Sequence, residues 1–501
     1  MKKDEIFYHV FQRSFYDANG DGHGDLQGLR SKLDYIEELG VTSILLLPLY
    51  DSSFYHNYFA NDFRKIDPVY GTFDDYIELI DDIHRRGMKL YLDMEVQYVA
   101  EDHLWFKDSY GNPASIYSQH IIYNDDQNTK PESIIFNLTS IHSYDGTEKK
   151  VACLNILNPP TQELIYKEFE FWTDPYGDGS LRSGVDGFRL DHMMDDLDDK
   201  GTITHVYSKL WKPLIDKVKS INPAVKFIGE QADWDSHGSK GFTEANVDYM
   251  FAFPLKFAIS NQHKGDIEWA QLKGIEITPE DKMQIIMIEN HDTNRYATDV
   301  ASHPGRLRTG AALNILLKGI PAIYYGQELG MKGAGGFQAY GVSDGNDIPR
   351  REALPWWAKV EGPGICLWYK ETGPWWDDSN LSDYDGISVE EQLLDPNSLL
   401  NFYKEIIKIR NQHEAFQNGE IVFLDNENDY VISYIRFFKE DYFLVNISLS
   451  DEKQLINIGQ FNIKESIFSY PYKEENPSIL QPFSIQIYSL FNEKKEYDIE
   501  H

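Results

Sequence analysis

The run Gly187-Phe188-Arg189-Leu190-Asp191 closes a short β-rich segment on a carboxylate, with a guanidinium two positions before it. Side chains alternate between the two faces of an extended strand, so Arg189 and Asp191 share one face. Similar apolar runs recur at Ile6–Val10, Ser43–Leu47, Lys89–Asp93, Lys226–Glu230, Tyr249–Pro254, Gln284–Glu289 and Pro321–Tyr325. Helix-like stretches separate most of them, among them Leu29–Leu39, closed by Gly40, and Asp74–Arg86, closed by Gly87. Strands alternating with helices predict a parallel α/β fold. Eight such strands predict a (β/α)8 TIM barrel.

A barrel of this kind gathers the C-terminal ends of its strands at one mouth, where chemistry is to be sought. Arg189 beside Asp191 favours the ionised carboxylate, the form a nucleophile needs, although a structural ion pair has the same pattern in isolation. Glu230 stands at the tip of the apolar Phe227-Ile228-Gly229, where desolvation raises a carboxyl pKa and suits a general acid. A third carboxylate, Asp292, lies where the apolar run through Ile288 breaks into Glu289-Asn290-His291-Asp292-Thr293-Asn294-Arg295. Like charges repel, so three acids at one mouth are costly as a device for stability alone.

At 501 residues the chain exceeds what one core organises. The segment from Met94 to Asn158, rich in Asn, Ser, Asp and Tyr, is too long for an ordinary loop and predicts a subdomain over the mouth. Beyond a helix at Phe402–Arg410 the pattern turns to short alternating runs such as Tyr430–Arg436 and Tyr442–Ile447, which read as all-β. The expected organisation is a catalytic barrel of residues 1–93 and 159–410, an insertion subdomain of residues 94–158 after strand three, and a C-terminal all-β domain of residues 411–501.

Acidic residues outnumber basic ones 81 to 47, and a net charge of -34 excludes phosphate backbones as partners while admitting a neutral substrate. No apolar run is long enough to span a membrane, and Met1–Val10 lacks the apolar centre of an export signal. A cytoplasmic protein or a trimmed periplasmic or secreted form is expected, as a monomer or weak oligomer. Cys153 and Cys366 imply no disulfide framework and leave one bridge open. The tryptophan pairs Trp356-Trp357 and Trp375-Trp376 suit sugar stacking, and packing between domains accounts for them as well.

In Asp17-Ala18-Asn19-Gly20-Asp21-Gly22-His23-Gly24-Asp25, oxygen-bearing side chains alternate with glycines. A calcium loop has this composition, and so has a solvated Asp/Gly turn, because the distal bidentate Glu of an EF-hand is missing.

Taken together, these motifs resemble the α-amylase family of retaining glycoside hydrolases, which includes α-glucosidases and transglycosidases. The resemblance runs from Ile6-Phe7-Tyr8-His9-Val10-Phe11-Gln12-Arg13-Ser14-Phe15 to the C-terminal region and takes in His56-Asn57-Tyr58-Phe59-Ala60-Asn61-Asp62-Phe63 and Gly319–Glu328. It implies Asp191 as nucleophile, Glu230 as acid/base and Asp292 as the carboxylate that stabilises the oxocarbenium-like transition state. It further implies Arg189 and His291 as their supports, Tyr58 as a platform beneath the sugar, and Asp93 as the end of the family's first signature segment. For the 17–25 loop it favours a structural calcium held by Asp17, Asn19, Asp21 and Asp25 through side chains and by His23 through its carbonyl.

The chain departs from the family around the substrate. Gln97 and Tyr98 stand where an Asn-His pair is usual, which reshapes the pocket at Tyr98 and puts the family's calcium site between barrel and insertion in doubt. Met194-Asp195 replaces the Lys-His of many endo-acting amylases, and Phe59 replaces the Asp usual in oligosaccharide-specific α-glucosidases. The expected activity is hydrolysis of α-glucans, starch among them, or malto-oligosaccharides. The alternatives are an exo-acting α-glucosidase or transglycosidase with the same triad, and a non-catalytic carbohydrate-binding or partner subunit.

Overall fold

A computed structural model describes residues 5–198, 200–336, 338–457, 461–472 and 476–491. Eight parallel strands close into a barrel: β1 (Phe7–Val10), β2 (Ser43–Leu46), β3 (Lys89–Met94), β4 (Gly187–Met193), β5 (Lys226–Gln231), β6 (Tyr249–Phe251), β7 (Met283–Ile286) and β8 (Ile320–Tyr324). Each pairs with the next in sequence, and β8 returns to β1 through Phe7↔Ala322 and Tyr8↔Ile323.

Phe7, Leu45, Tyr91, Ile228, Phe251, Ile285 and Ile320 fill the barrel interior, one from each of seven strands. At the eighth, β4, the corresponding position is Gly187, where a Cβ would stand 2.2 Å from the Tyr91 ring. The tyrosine therefore occupies the space that a side chain at 187 would take. A larger cluster packs the barrel's outer face against the surrounding helices.

Several elements depart from the sequence expectation. The helix expected over Leu29–Leu39 is two, Leu26–Ser31 and Leu33–Leu39, broken at Lys32. The first begins early because Asp25 caps it, accepting from the amide of Gly28. Strand β6 stops at Phe251, and Pro254 falls in the first turn of a helix, Phe253–Asn261, where its missing N–H costs nothing. Strand β7 ends at Ile286, which faces Pro321 across the ladder. Proline has no amide to donate, so the pairing does not extend. The helix Phe73–Arg85 matches its expectation, with a capping box between Thr72 and Asp75.

A second sheet lies over the mouth. Its order is Tyr50–Ser52, Ala60–Ile66, Tyr98–Ala100, Glu148–Cys153, Ser140–His142. Two of its strands come from the loop after β2 rather than from the insertion, which carries the His56–Phe63 stretch to the mouth. At the C-terminus a five-stranded antiparallel sheet runs Glu420–Phe423, Val431–Phe438, Asp441–Ser448, Ile485–Leu490, Ile463–Tyr470, accompanied by the short pair Gln454–Leu455 and Ile479–Leu480. Arg436, fully buried, joins this sheet to the barrel by donating to the carbonyl of Leu316 (2.6 Å) at the end of helix Pro304–Leu316, where the buried Arg410 of helix Leu399–Gln412 donates to the carbonyl of Ile315 (2.7 Å). Positive side chains suit the negative end of a helix dipole.

Cys153 and Cys366 are both free and buried, so the bridge left open does not form. Trp356 and Trp375 are buried in packing, with the Trp356 indole N–H donating to the carbonyl of Phe15. Among the described residues no helix is long and apolar enough to cross a membrane.

Candidate active site at the barrel mouth

The two-residue period that points Phe7, Tyr91 and Ile228 into the barrel points His9, Asp93 and Glu230 to its upper rim. Arg189 of β4 lies in register with Asp93 on one side and Ile228 on the other. Its guanidinium is the centre of the site. Nη1 donates to Asp93 Oδ2 and Asp191 Oδ1, both at 2.6 Å, and to the Tyr58 hydroxyl at 3.1 Å. Nη2 stands 2.7 Å from Glu230 Oε2. It is within ion-pair range there but off the line of a hydrogen bond.

A bulge brings the two carboxylates of β4 and β5 together. Gly229 pairs with Leu190, but Gln231 pairs with Met193, so Glu230 faces two residues, Asp191 and His192. His192 takes a left-handed backbone (φ 47°), and its amide donates to Glu230 Oε2 at 3.1 Å. Bulges of this kind re-aim side chains at functional sites.

One guanidinium among Asp93, Asp191 and Glu230 cannot balance three negative charges. Burial pushes the Glu230 carboxyl well above its ordinary range, and the charges of Asp191 and Asp292 add to the rise against the pull of Arg189. Burial likewise raises Asp93, again against Arg189. Asp292 behaves in the opposite way. Burial alone would raise it, but His291 Nε2 at 2.9 Å from Oδ2 and Arg351 Nη2 at 2.9 Å from Oδ1 hold it well below the usual carboxylate range. The site thus sets its carboxyls apart, Glu230 and Asp93 raised and Asp292 lowered, the separation that acid catalysis and cation stabilisation require.

The other residues singled out in the sequence meet here too. The Tyr58 hydroxyl donates to Asp93 Oδ2 at 2.7 Å and meets His291 Nε2 at 2.9 Å, and its ring stacks on that of His291. Tyr98 is buried, with its ring between those of Phe59 and His192. Gln97 donates from Nε2 to the carbonyl of Asp191 at 2.7 Å, so the residue replacing the usual Asn holds the backbone of β4. A cavity of about 470 Å³ opens above these groups. One wall is apolar, formed by Ile134, Ile135, Phe136, Leu138 and Ile141 of the insertion, and Trp234 flanks the cavity past Glu230.

Sequence reading missed Arg351, whose Nε donates to the carbonyl of His291 at 3.0 Å, and Arg350, which donates to the carbonyl of Asp292 at 2.7 Å. The pair closes a short 3-10 helix, Asp344–Arg350, after β8, with no strand period to mark it, and a doubled arginine was its only signal.

The Asp17–Asp25 loop lies apart from this cavity. Asp17 accepts from the amides of Gly20 (2.6 Å) and Gly22 (2.7 Å), Asn19 from that of Asp21 (2.9 Å), and Asp21 from that of His23 (2.8 Å). Asp25 accepts from Ala18 at 3.0 Å and caps the following helix through Gly28. Among the described residues no group of three or more His, Cys, Asp or Glu side chains is arranged to hold a metal ion.

The model of the α-amylase catalytic domain matches residues 9–419. The chain belongs to the α-amylase family. It is 30% identical over 498 residues to α-amylase 3 of Dictyoglomus thermophilum, covering 97% of this chain and 93% of that one. It is 29% identical to a trehalose synthase/amylase of Mycolicibacterium smegmatis (87% and 80% covered) and 26% identical to a probable oligo-1,6-glucosidase of Bacillus subtilis (97% and 98% covered). Among solved structures, the α-amylase from H. orenii superposes with a TM-score of 0.81 at 24% identity, over 98% of this chain and all of that one. The chain is thus a glycoside hydrolase of the α-amylase family, and a carbohydrate substrate fits it.

Proposed function

We propose that this family member is a retaining hydrolase of α-glucosidic bonds in α-glucans or malto-oligosaccharides. The observation that carries the reading is the Arg189 fork, which sets Asp191 and Glu230 on one guanidinium while Asp292 is held ionised apart from it. Asp191 is the nucleophile: Arg189 holds Oδ1, leaving Oδ2 to attack the anomeric carbon. Glu230 is the acid/base. Its Oε2 already accepts from His192, so the proton resides on Oε1, passes to the glycosidic oxygen, and is recovered from the water that releases the sugar. Asp292 stabilises positive charge developing at the sugar ring. Tyr58, Arg189 and His291 orient these carboxylates, and Tyr98 bounds the sugar pocket.

Hydrolysis of maltoheptaose, with the anomeric configuration of the first product followed by NMR, tests this reading. α-Configured products are expected, and β-configured ones would overturn it. A second reading, transfer to a sugar acceptor rather than to water, is favoured by the apolar wall of the cavity and by the relatives named trehalose synthase. Products longer than the substrate identify it.

For the 17–25 loop the proposal is a structural calcium, held by Asp17, Asn19, Asp21, Asp25 and the carbonyl of His23. The donors are all oxygen, and the buried Asp17 and Asp25 form no ion pair with a basic side chain among the described residues, which suits a hard cation. The ion would neutralise adjacent carboxylates and fix the loop. It takes no part in the chemistry.

A further inference from the structure

Glu95 is a buried carboxylate in the wall of the catalytic cavity, just beyond the end of β3 and 1% exposed. It forms no salt bridge with a basic side chain among the described residues. Three backbone amides hold it instead: Oε1 accepts from Gln97 at 2.6 Å and Tyr98 at 2.7 Å, and Oε2 accepts from Phe59 at 3.1 Å. A carboxylate offers about four acceptor positions, so one remains on Oε2. Phe59 and Tyr98, whose amides donate to Glu95, and Ile134 and Ile135 line the same cavity and bring no charge to it.

Such a group is expensive. Burial, together with the nearby charge of Asp191, pushes its carboxyl up to about 8. A neutral side chain would avoid both costs, so holding three amides does not by itself account for a carboxyl beside the nucleophile.

We propose that Glu95 Oε2 hydrogen-bonds a hydroxyl of the glycosyl unit seated over Asp191, and so selects for a ring hydroxylated on the side facing the insertion. As a carboxylate Oε2 accepts from that hydroxyl, and as a carboxylic acid it donates to it. Either state fills the remaining position. The same carboxyl, by fixing the left-handed Phe59 (φ 62°) and the amide of Tyr98, sets the two aromatic neighbours of the sugar. The inference rests on the assignment of Asp191 as nucleophile.

The test measures kcat/KM on α-D-glucosyl fluoride and its 2-, 3-, 4- and 6-deoxy analogues. The intact protein should disfavour one deoxy position by about 10- to 100-fold through this bond. In Glu95→Met that preference should fall below about 3-fold, and in Glu95→Gln, isosteric but uncharged, it should fall part of the way, with the ratios for the other three positions unchanged. Unchanged ratios at all four positions in Glu95→Gln overturn the proposal even if Glu95→Met fails to fold. Turnover of the parent fluoride that survives in Asp191→Ala would overturn the site assignment itself, a separate result.

Discussion

Arg189 Nη2 lies 2.7 Å from Glu230 Oε2, so the guanidinium that pairs with Asp191 also touches the carboxyl opposite it. A lysine ammonium is a point charge and cannot fork across Asp93, Asp191 and Glu230 together. In Arg189→Lys, kcat should fall by at least about 1,000-fold, as when preorganised electrostatic contacts are lost. Breaking a buried ion pair costs about 3–5 kcal/mol, so the midpoint of urea unfolding should drop as well. Wild-type kcat in this variant would contradict the central place given to the fork.

The proton on Glu230 should follow the charge of Asp191. Burial is the larger cause of its raised pKa, and the Asp191 charge adds to it. Neutralising that charge in Asp191→Asn should therefore move Glu230 down toward the ordinary carboxyl range, measurable by NMR of 13C-labelled glutamate. The sign for stability follows. The folded protein binds this proton more tightly than the unfolded chain, so its contribution is full below the unfolded pKa of about 4.3 and is lost as pH rises through the raised value. Asp191→Asn should flatten that loss in a series of melting temperatures against pH. In the intact protein, kcat should decline over the same alkaline direction as Glu230 loses the proton that its proposed acid role requires.

How much of this was legible before the structure depended on period. Asp93, Arg189, Asp191 and Glu230 sit on strands whose two-residue alternation and abrupt polar ends expose them in the sequence, and Asp292 ends an apolar run. Arg351 contacts Asp292 across 59 residues from the end of a short 3-10 helix, a closeness that only closure of the barrel creates. The bulge opposite Glu230 and the two strands that the loop after β2 lends to the insertion's sheet are pairing events, which a single strand's pattern does not encode. Nothing in the sequence around Glu95 marks its tie to Phe59, 36 residues earlier, whose amide donates to it.

Tyr58 separates ring from hydroxyl. Tyr58→Phe keeps the surface stacked on His291 but removes one of the donors to Asp93 Oδ2 and one of the three acceptors of Arg189 Nη1. Leaving buried polar groups short of a partner costs about 1–3 kcal/mol. If that cost falls on the transition state, kcat should drop by about 10- to 100-fold with KM nearly unchanged. A raised KM at constant kcat would instead assign the hydroxyl to substrate binding.

The 17–25 loop allows its charge to be separated from its shape. Asp21 accepts the amide of His23 through Oδ1, and Asp21→Asn retains that acceptor while removing a charge. The loop should form without the ion, held by Asp17, Asn19 and Asp25. In the parent protein, calcium added after chelation should raise the melting temperature, because a ligand at about 100 times its Kd stabilises the folded state by about 2.7 kcal/mol. In Asp21→Asn that rise should shrink sharply while the melting temperature of the chelated protein stays close to the parent value. Equal melting temperatures for chelated and calcium-loaded parent protein, with no calcium retained by elemental analysis, would identify the loop as a turn closed by its own amides.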